Sequence, residues 1–342
     1  MFGRFRDLSI SLKLNLIQGT VLLLITVLAA IGTAWHLRQQ LEGLALNQLR
    51  QTNRLVVTLL EAYDRGLRAD IERSGRLFAG QFDRQLELAE GPGGPRLLQR
   101  GTPLNDRFDL VDAFSAQAGT VATLLVRQGD DFLRTATSLK KEDGSRSTGT
   151  PLGAAHPALP SLLAGKSYTG KATMFGRNFI THYLPIRDAA GKVIGAYFVG
   201  LDMSEGLQAL RQGILAARIG KTGYVFAVDA GAQKGVLTLH PEKEGENVLA
   251  YKDNRGFELF RELVDKKSGV VRYDWLQAGE SRPREKIAVF EHYPGWDWVI
   301  ASTVHVDEFT GGADDAAGDI GWMALAIIFT VLATGFLATR VW

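Results

Sequence analysis

Two long stretches without a charge constrain this 342-residue chain more than any motif does. Leu14–Trp35 runs for 22 residues and Ile320–Thr339 for 20 with no Asp, Glu, Lys or Arg. At about 1.5 Å of rise per helical residue, each can span the roughly 30 Å hydrocarbon core of a bilayer. Both are apolar all round, unlike the one-sided helix of a soluble core. Arg4, Arg6 and Lys13 precede the first run and Arg340 follows the second. Basic residues at both outer ends predict cytoplasmic termini and one large external region between two spans. The first run also exceeds the 7–15 apolar residues of a cleaved signal, which favours a retained helix. A mean hydropathy of −0.01 is then the average of two membrane spans and a polar domain region.

Composition removes several chemistries. The chain has no cysteine, so thiolate metal sites, cysteine nucleophiles and disulfides are excluded. A formal charge of +2 gives no footprint for nucleic acid. The six histidines lie at no metal-ligand spacing, no glycine-rich loop leads into a helix with a lysine, and His240-Pro241-Glu242 lacks a second histidine. No catalytic residue, metal or cofactor is therefore expected. A binding module remains.

The external region divides by pattern. Residues 1–13 read as a cytoplasmic N-terminus and 14–35 as the first span. Leu37, Leu41, Leu44, Leu55, Leu59, Tyr63, Leu67, Ile71, Phe78, Phe82 and Leu86 then recur mostly at spacings of three or four. That predicts a stalk helix over 36–90, ended by Gly91-Pro92-Gly93-Gly94-Pro95. Two rounds of short strands and helices follow, one over 91–205 and a shorter one over 206–310. Each round has the order strand, strand, helix, three strands. They predict two α+β domains with antiparallel sheets, membrane-distal and membrane-proximal. Residues 311–319 read as a linker, 320–339 as the second span and 340–342 as the start of a cytoplasmic module.

Candidate ligand residues fall in both rounds. In the first, Arg134, Thr137, Lys140, Lys171 and Tyr183 supply cationic and hydroxyl donors suited to a carboxylate. Strict strand alternation would place Arg134, Ala136 and Ser138 on one face and Leu133, Thr135 and Thr137 on the other. In the second round, Tyr224, His240, Tyr273, Trp275 and Lys286 offer aromatic walls with a few polar anchors, the make-up of a small-molecule pocket. Trp298, inside an apolar strand, reads as core.

These residues also carry a resemblance. Residues 122–134, from Ala122-Thr123-Leu124 to Phe132-Leu133-Arg134, then 137–144, Tyr168-Thr169-Gly170-Lys171-Ala172 and Gly191-Lys192-Val193-Ile194-Gly195, resemble the extracytoplasmic Cache sensors of bacterial methyl-accepting chemotaxis proteins. Gly220-Lys221-Thr222-Gly223-Tyr224-Val225-Phe226, His240-Pro241, Glu244-Gly245-Glu246-Asn247 and Trp296-Asp297-Trp298-Val299-Ile300 resemble the shorter module of the fused Cache_3/Cache_2 subfamily. The match spans roughly residues 40 to 310 and rests on the number and order of the motifs. It implies PAS-like domains beside a stalk helix in a homodimeric inner-membrane receptor with a periplasmic sensor. It implies a small ligand, an organic acid or amino acid, contacted in the shorter module by Tyr273, Trp275, His240 and Lys286. It also implies downstream chemotaxis signalling proteins, reached through a cytoplasmic module that would begin after Trp342. The sensor of a histidine kinase or cyclic-dinucleotide enzyme, and a ligand-free structural or adhesion protein, stay open beside it.

Overall fold

The computed structural model describes residues 10–83, 85–141, 143–277 and 279–341. Most of the expected N-terminal cytoplasmic segment, residues 1–9, and Trp342 lie outside them. Helix α1, Ile10–Ala79, is continuous over 70 residues. From Ile17 onward it is the one helix among the described residues long and apolar enough to cross a membrane. The chain folds into two compact units, Leu59–Gly213 and the combination of Met1–Thr58 with Ile214–Trp342.

The expected stalk ends eleven residues early. Gly80 closes α1, donating its N–H to the Arg76 carbonyl, and the chain turns into strands instead. Strands β1 (Leu86–Gly91), β2 (Gly94–Gln99) and β3 (Thr102–Pro103) make a small antiparallel sheet. The Gly-Pro-Gly-Gly run is thus a hairpin turn between paired Gly91 and Gly94. Pro92 and Gly93, the latter at φ 89°, supply the proline-then-glycine pair of a type II turn. Phe82 and Leu86 keep the helical spacing by coincidence; both point into the same core as α1, but from non-helical backbone.

In the unit Leu59–Gly213, α2 (Phe108–Ala118) leads into β4 (Val121–Gln128) and β5 (Asp131–Thr137). The short α3 (Leu159–Leu163) precedes β6 (Tyr168–Met174), β7 (Arg177–Arg187) and β8 (Val193–Asp202), and α4 (Ser204–Ala216) follows. The helix expected between the two groups of strands is the five-residue α3. The sheet order is β5-β4-β8-β7-β6, all antiparallel. One face packs on α1 through Ile71, Phe78, Leu124, Val126 and Val199. Phe78 meets Phe114 at 4.8 Å and Tyr197 edge-on at 5.8 Å. Burying such aromatic side chains is worth roughly 2–3 kcal/mol each. The other face carries Phe132, Leu162, Tyr183 and Phe198.

In the second unit, β9 (Tyr224–Asp229), β10 (Leu237–Leu239), α5 (Leu259–Lys266), β11 (Ser268–Trp275), β12 (Arg284–Tyr293) and β13 (Trp298–His305) repeat the plan. The order β10-β9-β13-β12-β11 is the same permutation as in the first sheet. The part of α1 up to Thr58 belongs to this unit. Its Glu42 accepts from Arg272 at 2.7 Å, and buried Asn53 accepts from Ser302 at 3.2 Å. Helix α6 (Asp307–Val341) leaves β13 directly. The expected linker 311–319 is therefore helical, because Ala, Asp and Gly there are carried on by helix at both ends. Helix α6 also covers residues 320–339, where a second span is expected; among the described residues its apolar stretch is Gly318–Thr330, shorter than a membrane crossing.

Candidate functional site

A single extra residue overturns the expected faces of the first sheet. Leu124 pairs with Ala136 but Leu125 with Arg134, so Thr135 is a bulge. Its hydroxyl donates to the Leu124 carbonyl at 3.2 Å. Leu133 and Ala136 then share the α1-facing core, and Arg134 and Thr137 share the opposite face. There Arg134 Nη1 donates to the Pro151 carbonyl at 2.8 Å and to Thr150 Oγ1 at 3.2 Å. Thr137, fully buried, bonds Thr123 Oγ1 at 2.6 Å. Tyr183, 3% exposed, bonds His156 Nε2 at 3.2 Å, and burial raises its phenol well above the usual range. Lys140 and Lys171 are exposed. The structure brings Arg134, Thr137 and Tyr183 to one face, where Tyr183 packs with Phe132, Leu162 and Phe198, and places the two lysines at exposed positions.

The second sheet gathers its candidates around a cavity of about 560 Å³. Tyr224 opens β9, Trp275 closes β11, and His240 follows β10; all three line it, as do Gln277 and Thr222. His240 and Tyr224 meet edge-on at 5.2 Å. The His240 Nδ1 accepts the backbone N–H groups of both Glu242 and Lys243 at 3.0 Å. That fixes the ring proton on Nε2. Burial, aided by the charges of Lys243 and Lys286, pulls its pKa down to about 4, so at neutral pH the ring is an uncharged donor.

Lys286 and Tyr273 stand one layer behind this lining. Cross-strand pairing puts Tyr273 beside Lys286 and Lys286 beside His305. Tyr273 bonds Thr303 Oγ1 at 2.8 Å, and full burial holds its phenol far above the usual range. Lys286 has no exposed surface. Among the described residues its ammonium donates one hydrogen bond, to Gln277 Oε1 at 2.9 Å, and sits 4.6 Å over the Tyr224 ring. Burial pulls its pKa from 10.5 down to about 8 against the attraction of Glu280 and Glu308. An ammonium has three donors, so this one retains capacity for an acceptor. Arg218, Lys221 and Lys243 add positive charge to the lining against one carboxylate, Glu242.

Several lining residues went unread in the sequence. Gln277 was within reach, since 273, 275 and 277 continue one strand-face period. Arg218, Lys221 and Thr222 lie before β9, and only the fold turns them toward the same cavity. Trp298, expected in the core, is half-buried and packs against the buried Trp296 at 4.8 Å.

The profile of the Cache 3/Cache 2 fusion domain matches residues 34–318. The chain belongs to the Cache 3/Cache 2 fusion family. It resembles the methyl-accepting chemotaxis protein McpP of Pseudomonas putida, 29% identical over 133 residues, which are 36% of this chain and 24% of that receptor. The alignment thus spans about a quarter of that relative's length. A methyl-accepting chemotaxis protein from Vibrio parahaemolyticus shares 28% identity, covering 31% of this chain and 74% of that one at a TM-score of 0.28. The sensory domain of the Campylobacter jejuni chemoreceptor Tlp3 is 13% identical, covering 80% and 98% of the two chains at a TM-score of 0.49. Cache sensory domains of chemoreceptors bind ligands and are not catalytic.

Proposed function

We propose that this Cache pair is the sensory region of a transmembrane chemoreceptor, and that the cavity of its second sheet takes a small carboxylate such as an organic acid or amino acid. The observation that carries this reading is Lys286, a buried ammonium with spare donors directly behind the cavity wall. A buried cation without a carboxylate partner is costly, and a ligand carboxylate would offset that cost with charge-assisted bonds. His240 Nε2–H would add a neutral donor, and Tyr224 and Trp275 apolar walls. Arg134, Thr137, Lys140, Lys171 and Tyr183 are not part of this proposed site.

The reading places the sensor in the periplasm between two membrane spans, α1 and α6, as a multi-pass inner-membrane homodimer. Leu23, Val27 and Ala34 of α1 share one apolar cavity with Gly321 and Leu325 of α6, which supports two apolar runs side by side. Ligand occupancy would bias α6, and α6 a cytoplasmic module that engages chemotaxis proteins. A few kcal/mol of differential affinity between two states suffices.

The test is calorimetry on the detergent-solubilised full chain against a panel of monocarboxylates, dicarboxylates and amino acids. At least one carboxylate should bind, and Lys286→Met should weaken it by about tenfold or more. A folded chain that binds none of the panel, or a binder indifferent to Lys286→Met, refutes the site.

A further inference from the structure

Lys221, Thr222 and Gly223 of the Gly220-Lys221-Thr222-Gly223 motif line the cavity on one side, and on the other the motif holds a carboxylate of the chain itself. Ile219 and Gly223 close the turn with two backbone bonds, of 2.8 and 3.2 Å. Within it, the N–H groups of Lys221 and Thr222 both donate to Glu308 Oε2, at 2.6 and 3.3 Å. The Thr222 hydroxyl donates to Glu308 Oε1 and also bonds His305 Nδ1. Successive backbone N–H groups aimed at one point make an anion seat, and here the seat is filled from within.

The seat is built for close approach. Gly220 has φ +60°, and a Cβ there would stand 2.7 Å from Glu308 Oε2. The Glu308 side chain is 7% exposed. Glu308 lies in the first turn of α6, the helix that carries the second apolar run. A parallel route joins the opposite wall to the same turn. The Gln277 N–H donates to Glu280 Oε2 at 3.3 Å, Arg284 bonds Glu280 Oε1 at 2.7 Å, and Arg284 Nε donates to Asp307 Oδ2 at 2.8 Å. In the first sheet the register equivalent of Glu308 is Glu205, counted from the last strand residue, Asp202 or His305. Glu205 is exposed.

We propose that Glu308 seated in the Gly220–Gly223 turn is a latch that fixes the first turn of α6 to the cavity wall, so that a displacement of that wall is delivered to α6. Glu308 is a positioning residue and touches no ligand. The proposal rests on the second cavity being the ligand site, yet the latch itself can be tested with no ligand present.

The experiment is amide hydrogen exchange on the full chain in lipid nanodiscs, comparing wild type with Glu308→Ala, Glu308→Gln, Gly220→Ala and the double variant Gly220→Ala/Glu308→Ala. Glu308→Ala should speed exchange at Lys221, Thr222 and Thr310 by about tenfold or more, as expected for losing bonds to a charged acceptor. Glu308→Gln, which keeps an acceptor oxygen, should have a smaller effect. Gly220→Ala, made in the turn, should speed exchange at Thr310 in the helix, and the double variant should add little to either single change. Unaltered protection of β11 and β12, in the same unit as the changes, reports that each variant is folded; if Gly220→Ala is not, Thr222→Val takes its place in the cycle. Exchange at Thr310 within twofold of wild type in Gly220→Ala, or effects that simply multiply, overturns the latch. In a second arm, acetate and the other panel carboxylates are added. A carboxylate that binds should change exchange at Thr310 in wild type and much less in Glu308→Ala, with its affinity altered less than threefold. An equal response in Glu308→Ala overturns the latch. Absence of any carboxylate binding to wild type refutes the ligand reading alone, and the ligand-free cycle then decides the latch.

Discussion

Replacing Lys286 by methionine should make the ligand-free protein more stable while weakening its binding of a carboxylate. The fall of the lysine pKa from 10.5 to about 8 measures how strongly the folded protein disfavours the charged form. At 1.36 kcal/mol per unit this is about 3 kcal/mol at neutral pH. Methionine has similar length, no charge and a flexible stem that can fill the same space. Against the gain stands the bond to Gln277 Oε1, worth about 1–2 kcal/mol, and Gln277 borders the cavity, where water can replace the donor. The balance is a gain of about 1–2 kcal/mol for Lys286→Met. The pH dependence identifies the cause. The folded pKa lies below the unfolded one, so between about pH 8 and 10.5 the unfolded chain binds a proton that the folded chain has released. Wild-type stability therefore carries a rising contribution across that window, which the variant lacks, and the gap between them closes. Thermal melts of the full chain followed by tryptophan fluorescence at pH 7.5 and pH 10.5 read both effects. A variant less stable than wild type by 3 kcal/mol or more, with a gap unchanged at high pH, would falsify the assignment of Lys286 as a strained, functional cation.

Three further outcomes separate the two sheets. Arg134→Ala should lower stability by about 1–2 kcal/mol through loss of its bonds to Thr150 and Pro151, with carboxylate affinity unchanged in calorimetry; a large loss of affinity would return the site to the first sheet. His240, with a pKa of about 4, binds no proton between pH 4 and 6.5 where the unfolded chain does. It should therefore withdraw about 2 kcal/mol of stability by pH 5, visible as a smaller pH 7-to-5 decrease in the melting of His240→Gln, and equal decreases would refute it. Gly75→Ala should destabilise by about 1–3 kcal/mol because its Cβ would lie 2.5 Å from the His182 ring, whereas Gly66→Ala, with nothing within 4 Å, should stabilise by about 0.5–1 kcal/mol; equal melts for the two would contradict the packing of α1 on the first sheet.

The strands were legible because period-two patterns and glycine turns are local. Each round forms its strand, strand, helix and three strands in the expected order. What misled was pattern shared by two structures. Phe82 and Leu86 continue a spacing of four, but Gly80 ends α1, and Pro92-Gly93 makes a turn that a helix terminator would resemble in sequence. The bulge at Thr135 had no signature in the sequence, yet it reverses which residues share a face. Tyr224, His240, Tyr273, Trp275 and Lys286 were expected together from their residue types and from the resemblance; the fold puts Tyr224, His240 and Trp275 on the cavity lining and leaves Tyr273 and Lys286 behind it. Glu308 was not legible, since its meaning comes from a turn 86 residues earlier in the chain.

Why the second sheet and not the first should hold a carboxylate follows from their shared topology. Lys286 is the third residue of β12 and pairs with His305, the last residue of β13. Phe179 is the third residue of β7 and pairs with Asp202, the last residue of β8. On the neighbouring strand Lys286 faces Tyr273, while Phe179 faces Ala172; Arg284 faces Trp275, while Arg177 faces Met174. One backbone plan thus presents lysine, tyrosine and tryptophan in one sheet and phenylalanine, alanine and methionine at the matching positions of the other. Phe179 is 3% exposed and needs no partner. Lys286, equally hidden, carries a charge that water no longer screens. A fold that keeps such a charge at one of two equivalent positions, where an apolar residue demonstrably fits, has the arrangement expected when stability is given up for binding.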